Sequence, residues 1–283
     1  MIDRLEIDAN RLTFSARAAG PATGRGVILL HGFPQTSWSW RALLSVLGEA
    51  GFRAVAPDQR GYSVRARPVE VAAYRMEHLV ADVLALANAM KMDRFDLVGH
   101  DWGGMVSWVA AARHPDRIRS LCVVSTPHPL ALRRALLGGD PGQAARAGDT
   151  AIFRRPDVAE GLLLGADGSG SGLDALCAAS GLLPVHTQEY LAVLTQPGAL
   201  TAALNWYRAM EGDDLDGLPL VRVPTLYVWS NGDAALGRPA AEASQEFVAA
   251  PYRFVVLDGV THWIPEVAPQ KLAQLLIAHL AAT

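Results

Sequence analysis

The chain has 283 residues, 51% of them hydrophobic and 19% charged, with a formal net charge of −3. That apolar share excludes a disordered chain, and with no basic patch neither nucleic acid nor an anionic membrane is an expected partner. The N-terminus, MIDRLEIDANRL, lacks the apolar stretch of a secretory signal, and no run of about 18 apolar residues occurs. Cys122 and Cys177 are the two cysteines, too few for a disulfide framework and wrongly spaced for a metal motif. A cytoplasmic protein without cofactor or metal is the expectation. Oligomeric state is not legible, and a homodimer stays open.

Short runs rich in Val, Ile and Leu alternate with helical patterns. Strands are expected at 27–30, 53–57, 95–99 and 118–125, with helices at 38–50, 76–90 and 103–114 between them. Continuous apolar runs mark strands buried on both faces, as in a parallel sheet. The rhythm predicts an α/β doubly wound, mainly parallel sheet. It breaks after Ser125. Residues 128–217 read as helices and loops, and the rhythm resumes with strands at 225–230 and 252–257, a helix near 238–248 and a terminal helix at 270–282. The simplest organisation is a core of residues 1–127 and 218–283 with an inserted helical unit over 128–217. Inside it, GADGSGSG (165–172) follows no strand and lacks a Lys-Ser/Thr end, so it reads as a surface loop, not a phosphate cradle.

The segment FDLVGHDWGGMV (95–106) carries the chemistry. A strand runs into Gly99-His100-Asp101-Trp102-Gly103-Gly104 and a helix follows, the setting of a nucleophile elbow. Gly99 and Gly103 flank the apex, where side chains would collide. The apex projects near a helix N-terminus, which favours negative charge. Its residue is Asp101. A carboxylate that attacks saturated carbon gives an alkyl ester, which water then hydrolyses at the aspartate carbonyl. The competing reading is a helix cap.

HGFP (31–34) follows the strand at 27–30, where a turn supplies one backbone N–H of an oxyanion hole and the residue after the nucleophile supplies the other. Those donors are Phe33 and Trp102. His262, in GVTHW after the last expected strand, closes the order nucleophile, acid, histidine and is the candidate base. Asp233, just beyond the strand at 225–230, is the candidate orienting acid. Asp213, Asp214 and Asp216 compete for that role.

With HGFP (31–34), PDQRGYS (57–63), GHDWGG (99–104), NWYR (205–208) and THW (261–263) in this order, the sequence resembles the epoxide hydrolase branch of the α/β-hydrolases over nearly its whole length. The resemblance implies an α/β-hydrolase fold with a helical cap over 128–217 and the active site between cap and core. It implies Asp101 as nucleophile, His262 as base, Asp233 as its partner, and Tyr207 as hydrogen-bond donor to the epoxide oxygen. His31, Pro34, Trp206 and Trp263 are expected to line the substrate site. The family pattern places a second cap tyrosine four residues before a Phe. Here that position, counted from Phe153, holds Asp149, which either donates as a protonated acid or is a loop residue. Tyr190 is a further phenol that the fold can bring close.

Epoxide opening to a vicinal diol on a small apolar substrate is therefore the first expectation. Haloalkane or haloacid dehalogenation uses the same ester cycle but needs halide donors from Trp or Asn near the site; Trp102 can serve, but Phe33 stands where many such relatives carry Asn or another polar residue. A catalytically weak protein that binds a small molecule is the third reading, kept open by Asp149.

Overall fold

The sheet explains why the apolar runs are so legible. In the computed structural model, which describes residues 1–138, 142–143 and 148–283 apart from the side chains of residues 148, 149, 212 and 213, eight strands form one sheet in the order β1-β2-β4-β3-β5-β6-β7-β8. These are β1 Ile2–Ala9, β2 Leu12–Ala19, β3 Gly26–Leu30, β4 Arg53–Pro57, β5 Phe95–His100, β6 Ile118–Val124, β7 Thr225–Ser230 and β8 Tyr252–Leu257. From β4 to β8 every pairing is parallel. Every residue of β3, β5 and β7 is buried.

Side chains alternate between two layers, as the pleat requires. Val27, Leu29, Val98 and Val228 meet Leu43, Leu44 and Leu47 of α1 (Arg41–Glu49) and Leu272, Leu276 and Leu280 of α12 (Pro269–Ala281). Ile28, Leu30, Leu97 and Val123 face Val80 and Val83 of α2 (Met76–Ala89) and Val106 and Val109 of α3 (Trp102–Arg113). Leu44 is fully buried, so Leu44→Ala should cost roughly 2–5 kcal/mol. Cys122 lies in the first layer, as its apolar run predicts.

One element is not legible as an apolar run. β1 and β2 form an antiparallel hairpin at the sheet edge, joined by Asn10 and Arg11, both at positive φ. β2 then pairs antiparallel with β4. The edge strand β1 is half-exposed, so it offers no continuous apolar signal.

Between β6 and β7 the described residues include the helices α4 Pro129–Leu137, α5 Gly148–Phe153, α6 Val158–Leu164, α7 Ser171–Ala179, α8 Pro184–Leu194 and α9 Ala199–Ala209. The glycine-rich segment is the exposed turn from α6 into α7, with Gly170 left-handed before α7. After β7 come α10 (Arg238–Ala243), β8, α11 (Ile264–Val267) and α12.

Candidate active site

The end of β5 sets the apex. Asp101 has φ 51° and ψ −122° between β5 and α3, a backbone state costing about 1–3 kcal/mol that persists only where its surroundings impose it. They do so closely. A Cβ on Gly99 would overlap the Gly103 carbonyl, and one on Gly103 would overlap that of Leu30. Thr126 Oγ1 donates to the Asp101 carbonyl at 2.7 Å. Asp101 occupies the N-cap position of α3, yet its side chain makes no capping hydrogen bond. The carboxylate instead points away from the helix, toward the ends of β3 and β8.

At the end of β3, the Phe33 N–H donates to Asp101 Oδ1 at 2.8 Å. Gly32 permits this approach, since a Cβ there would overlap the Asp101 carboxyl group. Trp102 follows Asp101 directly as the first residue of α3. On the other side, His262 Nε2 lies 3.7 Å from Asp101 Oδ2, and His262 Nδ1 lies 2.8 Å from Asp233 Oδ2. The other oxygen of Asp233 accepts from the Ala235 and Leu236 amides at 2.8 and 3.0 Å. Asp233 is thus fixed before it meets the imidazole, and its side chain is wholly buried. Of the competing acids, Asp216 pairs with Arg133 on the surface, Asp214 accepts from the Glu211 amide, and the side chain of Asp213 lies outside the described residues.

These contacts fix the charges. Burial alone would depress His262, but the facing carboxylates of Asp233 and Asp101 raise it to about 10. Burial would raise Asp101, but the hydrogen bond and charge of His262 and the Phe33 amide hold it below the usual carboxylate range. At neutral pH the site therefore holds an imidazolium between two carboxylates.

Helix α9 carries Tyr207 to this point. Trp206 Nε1 donates to the Arg60 carbonyl at 2.9 Å, and Arg208 forms a two-pronged ion pair with Glu160 of α6. With its neighbours anchored on either side, the Tyr207 ring packs edge-on against Trp102, Phe153 and Phe33, at centroid distances of 4.9, 5.1 and 5.6 Å. Burial, and then the Asp101 charge, push the Tyr207 phenol well above 10, so it keeps its proton.

The remaining expected site residues divide. Trp263 packs edge-on against His262 and donates to Ser180 of the α7–α8 connection. His31 is fully buried, and its Nε2 accepts from the Gln59 amide. Both are held by contacts within the protein, as Trp206 is through Arg60. Pro34 is buried beside Phe33 through a cis peptide bond. Tyr190 is buried with its hydroxyl 2.5 Å from Glu266, not turned to Asp101. Residue 149 lies in the first turn of α5, and its side chain falls outside the described residues.

Comparison with known proteins identifies the fold and family. Residues 26–160 match the family model for the alpha/beta hydrolase fold. The chain is 32% identical to the AB hydrolase superfamily protein YfhM of Bacillus subtilis, covering 97% of this chain and 96% of that one. It is 30% identical to epoxide hydrolase A of Mycobacterium tuberculosis at the same coverage. A solved structure described among novel epoxide hydrolases of the alpha/beta hydrolases superfamily, from metagenomes of hot environments, superposes with a TM-score of 0.88 at 28% identity over both whole chains. The chain belongs to the epoxide hydrolase-like branch of the α/β-hydrolases.

In this α/β-hydrolase, PDQRGYS proves to be bracing. Asp58 accepts from the Ser37 amide at 2.7 Å, Gln59 bonds to His31, and Arg60 forms a buried two-pronged ion pair with Asp82 of α2. Sequence reasoning also passed over a buried polar group behind the site: Gln35, His100, Ser125 and Glu266. Its members adjoin the motifs that carry the resemblance. His100 precedes Asp101, Gln35 follows HGFP, and Glu266 lies four residues after His262. Adjacency was the available signal; their mutual contact spans up to 231 residues of sequence. No helix among the described residues is long and apolar enough to cross a membrane.

Proposed function

We propose that this hydrolase opens epoxides to vicinal diols through an ester on Asp101. One observation carries the reading: a carboxylate at the elbow, Oδ1 on the Phe33 amide and Oδ2 toward His262, with a protonated tyrosine ring nearby.

In the first half, Asp101 Oδ2 attacks an epoxide carbon and the carbon–oxygen bond breaks. Tyr207 gives its proton to the departing oxide, which becomes a hydroxyl, and the phenol recovers a proton from the His262 imidazolium through water. Asp101 loses its charge on forming the ester, so one of the two carboxylates that raise His262 disappears. The imidazolium then gives up its proton more readily and leaves a neutral imidazole able to act as base. In the second half, His262 takes a proton from water as the water attacks the Asp101 carbonyl. The Phe33 and Trp102 amides bind the oxyanion, and the diol leaves. Asp233 holds the imidazole in the required tautomer throughout. Residues 128–217 act as the cap, bringing Tyr207 and Phe153 over the nucleophile and offering aromatic surface to a small apolar substrate.

Dehalogenation shares the ester cycle, but the ring of Phe33 packs against Phe153 and Tyr207 and supplies no polar donor for a halide. Incubation with styrene oxide, a chloroalkane and fluoroacetate, with diol and halide both assayed, tests the reading. Diol from styrene oxide without halide from the others is expected; halide release without diol overturns it.

A further inference from the structure

Behind the catalytic residues a buried chain of polar side chains joins helices α8 and α11, the end of β5 and the loops that follow β3, β6 and β8. Glu266 in α11 is 8% exposed. Its Oε1 accepts from the Tyr190 hydroxyl of α8 at 2.5 Å and from Gln35 Nε2 at 2.6 Å. Its Oε2 is buried without a partner among the described residues. The Gln35 amide can face only one way: its Oε1 must accept from the Gly32 N–H, 2.9 Å away, which turns Nε2 toward Glu266. The same Oε1 faces His100 Nδ1 at 2.8 Å, and His100 Nε2 faces the His262 carbonyl at 2.9 Å. Both His100 nitrogens thus meet acceptors. Burial, then the facing His262, push His100 down to about 3, so its ring is neutral and has one proton for two acceptors. Ser125 Oγ donates to the His262 carbonyl as well, at 3.0 Å. Which acceptor receives the His100 proton depends on the Gln35 amide, and Glu266 holds that amide.

We propose that Glu266 is a positioning residue for the hydrolytic half of the reaction, acting through Gln35 on the Gly32–Phe33 turn and through His100 on the His262 loop, with Tyr190 tying the arrangement to α8. The inference rests on the ester cycle above. Burial raises Glu266 to about 7, against hydrogen bonds from Tyr190 and Gln35 that lower it. The ionised carboxylate keeps the amide N–H₂ turned toward itself. A proton on Glu266 weakens that hold and admits the flipped amide, which leaves the Gly32 N–H without its acceptor and loosens the turn that presents the Phe33 N–H. Hydrolysis is supported above the Glu266 pKa and falls below it. The charged and titratable groups around the chain are His262, Asp101 and Asp233 on the His100 side, and Tyr190, Cys177 and, beyond Tyr190, Arg41 on the Glu266 side.

The test is single-turnover kinetics with an epoxide, alkylation and hydrolysis resolved by tryptophan fluorescence across pH, in the wild type, Glu266→Gln and Tyr190→Phe. The amide introduced by Glu266→Gln keeps an acceptor oxygen for both donors, so the fold is preserved. In the wild type, hydrolysis should fall on the acid side with two protonations, those of His262 and Glu266. Glu266→Gln should keep only the His262 limb and leave alkylation unchanged. Tyr190→Phe removes a donor that lowers Glu266, so the Glu266 limb should move to higher pH; this variant carries the test if Glu266→Gln does not fold. Identical hydrolysis profiles in all three, or equal slowing of both steps, overturns the proposal. Infrared difference spectra between acid and neutral pH need no substrate: a buried protonated carboxyl band should be present in the wild type and missing from Glu266→Gln, and its absence from the wild type also overturns the proposal. A protein that no epoxide alkylates, yet shows that band, would overturn the ester cycle and leave the Glu266 titration standing.

Discussion

His262 and Asp233 meet at 2.8 Å through Nδ1, the ring nitrogen turned away from Asp101. The Ala235 and Leu236 amides hold the other oxygen of Asp233, so the carboxylate cannot follow the imidazole if the imidazole turns. Asp233→Asn should keep the fold and its two amide contacts while slowing hydrolysis by on the order of a thousandfold or more, because an amide cannot favour the required tautomer or its cation. Single-turnover hydrolysis of a preformed alkyl-enzyme measures this directly. Full activity in Asp233→Asn, with loss on changing Asp213, Asp214 or Asp216, would assign the acid elsewhere.

The same pairing predicts a titration. His262 is raised to about 10 by Asp233 and Asp101 against the opposing effect of burial. A raised histidine pKa contributes stability that is fully present below its unfolded value, near 6.5, and is lost as pH rises through about 10. Asp101→Asn removes one of the two carboxylates, so His262 should titrate at lower pH and that loss should begin earlier. Nitrogen-15 NMR of the imidazole reads the shift, and an unmoved His262 would show that Asp101 does not share in its charge.

Tyr207 stands over the site on α9 with a phenol that keeps its proton. Tyr207→Phe should slow alkylation by about a hundredfold, the ~3 kcal/mol typical of losing one oxyanion donor. Hydrolysis of preformed ester should be nearly intact, since the oxide is already a hydroxyl by then. An unchanged alkylation rate removes Tyr207 from the mechanism.

Positions 149 and 153 lie one helical turn apart in α5 and share a face, and Phe153 packs against Phe33 and Tyr207. Asp149→Tyr would add a phenol on that face. Its turnover of styrene oxide should exceed that of the wild type. No gain would mean that a single phenol suffices or that the substrate is not an epoxide; halide release from a chloroalkane would favour the latter.

What the sequence disclosed and what it withheld follow from physics. Strands β3 to β7 are buried on both faces, so they read as unbroken apolar runs. The elbow is local, strand, turn and helix within a dozen residues, and needs no tertiary knowledge to be found. The hairpin of β1 and β2 was passed over because an edge strand alternates weakly and its signal sits in a two-residue turn, Asn10-Arg11. The ring nitrogens of Trp206 and His31 bond to the Arg60 carbonyl and the Gln59 amide, contacts that no motif discloses. Motif position placed both residues near the site, yet only packing decides which way a side chain turns. The Gln35–Glu266 contact joins residues 231 apart, beyond any spacing rule.

The covalent cycle is the central claim, and one measurement reaches it. His262→Gln should leave attack by Asp101 intact and stop release, so incubation with styrene oxide should add the mass of one whole epoxide to the protein. Peptide mapping should place the adduct at Asp101, within residues 99–104. In wild-type protein under single turnover in heavy-oxygen water, the label should enter the Asp101 carboxylate before it enters the diol. No adduct on His262→Gln, with label appearing directly in the first diol formed, would mean that water attacks the substrate itself and that Asp101 is not the nucleophile.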